Sequence, residues 1–93
     1  MRTTTKRLWI RGRVQGVFYR GWAVEAAREL DLGGWVRNRS DGTVEILVAG
    51  READVGRLID RCRKGPPSAR VDGVEVEATD EPVPGRFEKR PTL

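Results

Sequence analysis

The sequence predicts an α+β sandwich, on three observations. Its hydrophobic period switches between 2 and 3.6 in the order strand, helix, strand, strand, helix, strand. Asp41-Gly42 separates the two adjacent strand-like runs, and glycines or prolines follow each helical run. That order is the split βαβ, or ferredoxin-like, arrangement: an antiparallel sheet with two helices on one face. One domain is expected over residues 1–93, because a chain of this length supports a single core that buries roughly 60 to 70% of the unfolded surface.

Residues Arg7 to Val14 alternate, with Leu8, Ile10 and Val14 on one face and Trp9, Arg11 and Arg13 on the other. The first strand thus has a core side and a basic side. From Phe18 to Leu32, Trp22, Ala23, Ala26, Ala27 and Leu30 recur at helical spacing, and Gly33-Gly34 is expected to stop the helix. Trp35 to Arg39 and Thr43 to Ala49 form a hairpin around Ser40-Asp41-Gly42, since Asp-Gly between strand-like runs is a strong hairpin signal. Arg51 to Arg63 returns to helical period, with Val55, Leu58, Ile59 and Cys62 in one stripe. Its acidic first turn and basic end agree with the macrodipole, and Gly65-Pro66-Pro67 ends it. Val74, Val76 and Ala78 alternate with Glu75 and Glu77 as a fourth strand. In the tail only Phe87 is an apolar anchor before Pro91, so a fifth strand can only be short and at an edge.

With 38% hydrophobic and 34% charged residues the chain suits a soluble domain. The net charge of +4 favours anionic partners without distinguishing a small phosphorylated molecule from nucleic acid. No apolar run is long enough for a signal peptide or a membrane span, and a lone cysteine, Cys62, forms no internal disulfide, so a reducing cytoplasm is expected. With no histidine and one cysteine, a transition-metal site is disfavoured.

Gly12-Arg13-Val14-Gln15-Gly16-Val17-Phe18-Tyr19-Arg20 joins the first strand to the first helix and has the makings of an anion cradle. Glycines let backbone amides converge on a ligand, and Arg20 falls at the positive end of the helix, where a guanidinium can grip two phosphate oxygens. The spacing matches neither G-x-x-x-x-G-K-[ST] nor G-x-G-x-x-G, and glycines between a strand and a helix commonly mark only a turn. The topology adds a second motif. First and second strands run the same way with the third between them, so the Gln15 to Arg20 loop and the Asn38 to Gly42 turn meet at one end of the sheet. Asn38 there offers a donor and an acceptor to something small, such as a water. In-line attack on phosphorus needs little else than a positioned nucleophile and stabilised equatorial oxygens. The segments supply no general acid, so an activated substrate with a carboxylate leaving group fits best.

These two segments, Gly12 to Arg20 and Gly34-Trp35-Val36-Arg37-Asn38-Arg39-Ser40-Asp41-Gly42-Thr43-Val44-Glu45, closely resemble the two motifs of the acylphosphatases, and the likeness continues through Lys64 to Val71. The resemblance implies hydrolysis of small-molecule acyl phosphates to a carboxylate and inorganic phosphate, without cofactor. It makes Arg20 the phosphate-binding arginine, Asn38 the water-positioning asparagine, and Gln15, Gly16, Val17, Phe18 and Tyr19 the amide-bearing loop. Two departures stand out: Phe18 where many members have glycine, and Lys89 with Pro91 where the last strand is often apolar. The second weakens the expected edge strand.

Other residues have plainer readings. Phe18 and Tyr19 suit packing onto the core at least as well as substrate contact, Trp9, Trp22 and Trp35 suit packing, and Cys62 suits a small buried hydrophobe. Thr43 suits support of Asn38 or the ordinary composition of a strand that follows a hairpin turn. Arg11, Arg13, Arg37 and Arg39 either focus anions or form a solvated basic face. The competing class is a nucleic-acid-binding module of the same topology, but that use needs base-stacking aromatics on the third strand, where this chain has Glu45 and Leu47. An accessory domain that binds acyl or carbamoyl phosphate within an assembly is a third class. The stand-alone length argues against that class.

Overall fold

The computed structural model describes residues 2–93. The elements run β1 (Thr3–Arg13), α1 (Tyr19–Glu29), β2 (Gly33–Asn38), β3 (Val44–Arg51), α2 (Glu52–Lys64), β4 (Arg70–Ala78) and β5 (Glu88–Lys89). Strand order across the sheet is β4-β1-β3-β2-β5. β3 lies antiparallel between β1 and β2, so these two run the same way, as the ferredoxin-like arrangement requires.

Three local expectations are corrected. β1 begins four residues before Arg7, because Thr3, Thr4 and Thr5 are β-branched and pair with Arg51, Gly50 and Ala49, although they carry no hydrophobic pattern. α1 stops before the glycines. Asp31 takes a left-handed conformation (φ 58°), its N–H donates to the Arg28 carbonyl, and the Leu32 N–H donates to the Ala27 carbonyl. This is the Schellman ending, with Asp31 in glycine's usual place and buried Leu32 sealing it. Gly33 and Gly34 instead open β2.

The third correction concerns the sheet, which is mixed and not wholly antiparallel. β5 exists as a two-residue edge strand, and it pairs in parallel with β2. β4 finishes opposite Lys6, near the end of the sheet where β1 begins and hence where β2 also begins. A connection that crosses along this end can only start a strand running with β2. Phe87 fastens the connection: it is fully buried, and its carbonyl accepts a hydrogen bond from Arg28 Nε at 3.0 Å.

The core lies between the helices and one face of the sheet. Leu8, Ile10, Val36, Val44, Ile46 and Val48 point inward and meet Ala23, Ala27, Val55, Leu58 and Cys62. Alanines on α1 let it approach the sheet closely while the larger residues of α2 fill the other half.

On the opposite face most arginines of the expected basic side, though not Arg13, are drawn into ion pairs. Glu45, 2% exposed at the centre of the sheet, accepts from Arg37 Nε and Arg39 Nη1 at 2.8 Å each and from Arg7, which also pairs with Glu81. Arg37 and Arg90 cover the Trp35 ring, at 4.5 and 5.2 Å from its centroid, and Arg7 lies over Trp9. Arg37 and Arg39 are therefore committed to Glu45, and Arg11 pairs with Glu75. Burial by itself would raise the Glu45 pKa, but the hydrogen bonds from Arg37, Arg39 and Arg7 hold it below the ordinary value of 4.5. The stabilisation is full above that value and is lost as the pH falls through the lowered one. Glu45→Gln is expected to lower unfolding stability at neutral pH by about 2 to 3 kcal/mol, since it strands three guanidiniums that keep some contact with water. In urea titrations the gap between wild type and variant should close on acidification below pH 4.5; a gap that widens would contradict this role.

Candidate active site

At the end of β1 the chain turns through two positions that only suit particular residues. Gly12 (φ 130°) sits where the β1–β4 register slips, and any Cβ there would collide with the Arg70 carbonyl. Gly16 (φ 74°) has open space around it, so its requirement is conformational. Phe18 is also left-handed (φ 65°, ψ 23°), a conformation that costs a non-glycine residue roughly 1 to 2 kcal/mol. Backbone of alternating hand turns successive amides toward one side and makes an anion-binding nest. Among the described residues the amides of Gln15, Gly16, Val17 and Phe18 donate to no backbone carbonyl.

Phe18 is the N-cap of α1, without any side-chain capping bond, and no acidic residue stands in the first turn. α2, by contrast, has Glu52 and Asp54 there. The positive end of α1 is thus left for an external anion, with Arg20 in its first turn.

The hairpin is brought to this loop by Gln15. Its Nε2 donates to the carbonyls of Arg39 (2.8 Å) and Thr43 (2.9 Å), on both sides of the turn that follows Asn38. Thr43 does not support Asn38: its hydroxyl and amide both donate to Asp41 Oδ1, at 2.7 and 3.0 Å, and close the turn on itself. Those bonds, the hydroxyl's first, hold the Asp41 carboxyl below its usual range.

Together these elements enclose a cavity of about 130 Å³ lined by Val14, Gly16, Phe18, Tyr19, Arg20, Gly21, Asn38 and Lys89. That is small beside the roughly 300 to 1,000 Å³ of drug-sized sites, and suits a phosphoryl group with a water. A wider depression of about 740 Å³ lies at the other end of the sheet, between Thr3 to Thr5 and Pro84, away from all of these groups.

Of the residues expected to form the site, Gly16, Phe18, Tyr19, Arg20 and Asn38 share this cavity, whereas Gln15 and Val17 do not line it. Val17 packs against the core and the Gln15 side chain is spent on the hairpin. The paired reading of Phe18 and Tyr19 as core packing separates. Tyr19 is 1% exposed, and its hydroxyl donates to the Cys62 carbonyl at 2.7 Å, so it pins α1 to α2. Phe18 is 68% exposed, against the packing expectation, because the left-handed cap directs it over Gly21 at the cavity mouth. Burial raises the Tyr19 pKa and pushes the Cys62 thiol up to about 12, which leaves neither as an acid or nucleophile at neutral pH.

Asn38 carries the most telling detail. Its Oδ1 is buried and accepts no hydrogen bond from any described residue. Leaving a buried acceptor unpaired costs on the order of 1 to 3 kcal/mol, a cost typically met where a ligand or reactant takes the bond. Val14 and Gly21 line the cavity through the fold's geometry. Lys89 was visible in the sequence only as a departure on a weak tail, and reaches the site through the β5 register.

Arg20 and the uncapped start of α1 share one cavity with an unpaired amide acceptor, and no carboxylate of a described residue lines it. Such a site can hold a tetrahedral oxyanion and orient a neutral nucleophile toward it. The comparisons with known proteins point to the same chemistry. The acylphosphatase of Rhodospirillum rubrum is 55% identical over 84 residues, covering 90% of this chain and 92% of that one. That of Rhizorhabdus wittichii is 49% identical over 88 residues, covering 95% and 89%. The structure of an acylphosphatase from Coxiella burnetii superposes with a TM-score of 0.90 at 35% identity, covering 95% and 93% of the two chains. With the acylphosphatase family model matching residues 6–89 as well, the chain belongs to the acylphosphatase family.

Proposed function

We propose that this protein hydrolyses acyl phosphates, with Arg20 and the amides between Gln15 and Tyr19 holding the phosphoryl group and Asn38 positioning the attacking water. The water oxygen bonds to phosphorus as the bond from phosphorus to the acyl oxygen breaks. The leaving carboxylate departs with the electron pair and needs no proton, and the water's proton passes to a phosphoryl oxygen. Arg20 and the nest oppose charge on the equatorial oxygens. The observation that carries this reading is the buried, unpaired Oδ1 of Asn38 in the same cavity as the uncapped, arginine-bearing start of α1.

We take the working unit to be the single domain over residues 1–93, a monomer in a reducing cytoplasm with no nucleic-acid partner. Supporting this, the sheet ends in a charged edge, β4, and in the two-residue β5, neither of which invites strand addition. Trp35 lies under two arginines and is 5% exposed, so it is no stacking platform. No helix of the described residues is long and apolar enough to cross a membrane. The purified protein should hydrolyse benzoyl and acetyl phosphate well above the spontaneous rate, with a chelator making no difference. A rate equal to the spontaneous one would remove the reading.

A further inference from the structure

We propose that Lys89 is a second cationic anchor for the phosphoryl group, acting from the side on which the water is held; this rests on the acyl phosphate reading above. The parallel register pairs Lys89 with Val36, so its side chain leaves the sheet on the helix-facing side, as do Val36 and, two residues further along β2, Asn38. Phe87, on the same face of the tail, is fully buried and tied to Arg28 late in α1. Lys89, two residues on, is thereby directed toward the opposite end of α1, the first turn that carries Arg20. It lines the same cavity as Arg20 and Asn38. Its sequence neighbours Glu88 and Arg90 pair with each other at 3.1 Å, while Lys89 makes no ion pair with a described carboxylate.

Charge balance gives this placement a role. A phosphoryl group near neutral pH carries about −1.5 to −2, whereas Arg20 contributes one unit and a helix end about half a unit. Lys89 supplies the remainder. Geometry decides which part of the substrate it meets. In-line attack puts the water and the leaving carboxylate on opposite sides of phosphorus. Asn38 marks the water side, and Lys89 shares its sheet face on the adjoining strand, so the ammonium reaches phosphoryl oxygens. The acyl group leaves by the opposite side, away from Lys89.

The test compares wild type, Lys89→Met, which keeps the aliphatic stem, and Lys89→Arg. KM is measured for benzoyl phosphate and for succinyl phosphate, whose acyl part adds a carboxylate, together with Ki for inorganic phosphate at low and high salt. Lys89→Met should raise Ki and both KM values about three- to tenfold, with a flatter salt dependence, and Lys89→Arg should restore them. An unchanged Ki overturns the assignment, and a loss confined to succinyl phosphate does so by placing Lys89 on the acyl part. If wild type neither hydrolyses acyl phosphates nor binds phosphate, the reading of the whole site fails. If wild type does both and Lys89→Met matches it, only the role of Lys89 falls.

Discussion

Arg20→Ala is expected to lower kcat/KM for benzoyl phosphate by on the order of a thousandfold and to abolish competitive inhibition by inorganic phosphate. The guanidinium offers parallel donors to two oxygens, and a single preorganised donor at such a site already accounts for about 10² to 10³ in rate. Both ground state and transition state carry the phosphoryl charge, so KM and kcat should suffer together. Alanine is the best helix former, so α1 should persist and the loss will not be one of folding. Arg20→Lys should fall between, since it keeps the charge but not the fork. Retained phosphate inhibition in Arg20→Ala would show that the anion is held elsewhere.

Asn38→Ala should separate the two roles. It is expected to lower kcat by on the order of a hundredfold, because misplacing a nucleophile by about 1 Å has that effect, while Ki for phosphate stays within about twofold. The variant should be no less stable than wild type in urea, since it deletes a buried acceptor that has no protein partner. Lost turnover with undiminished stability marks a residue kept for function. Equal losses of phosphate binding in Asn38→Ala and Arg20→Ala would contradict the division between water and phosphate.

The parts of the fold legible in the sequence are those whose signal is local. Alternation of Leu8 and Ile10 marked β1, the stripe Val55, Leu58 and Cys62 marked α2, and Asp41-Gly42 marked the hairpin, because each element's buried face is written at its own period. The errors fall where a residue acts outside its usual preference. Asp31 ends α1 in place of a glycine. The threonines at the start of β1 pair without burying an apolar face, and Phe18 adopts a glycine-like conformation and stays exposed.

The candidate site divides in the same way. Arg20, Asn38 and Gly16 could be picked out because each carries its chemistry in its own type and in its place at the junction of a strand with a helix or turn. Gln15 could not be placed so well: as a side chain it binds both sides of the hairpin turn, 24 and 28 residues away. Glu45 reads in sequence as the outward residue of a strand. Only the flanking of β3 by β1 and β2 gathers Arg7, Arg37 and Arg39 on it and turns an apparent basic face into a nearly closed ion cluster.

By itself, then, the sequence determined the order of elements, the positions of Arg20 and Asn38, and through topology their meeting at one end of the sheet. Tertiary structure alone decided that β5 runs with β2, that Lys89 comes to line the cavity, and that the acceptor of Asn38 is buried without a partner. The physical reason is range. Periodicity and capping act within a few residues, whereas burial, pairing and charge compensation are set by segments that meet only after the chain has folded.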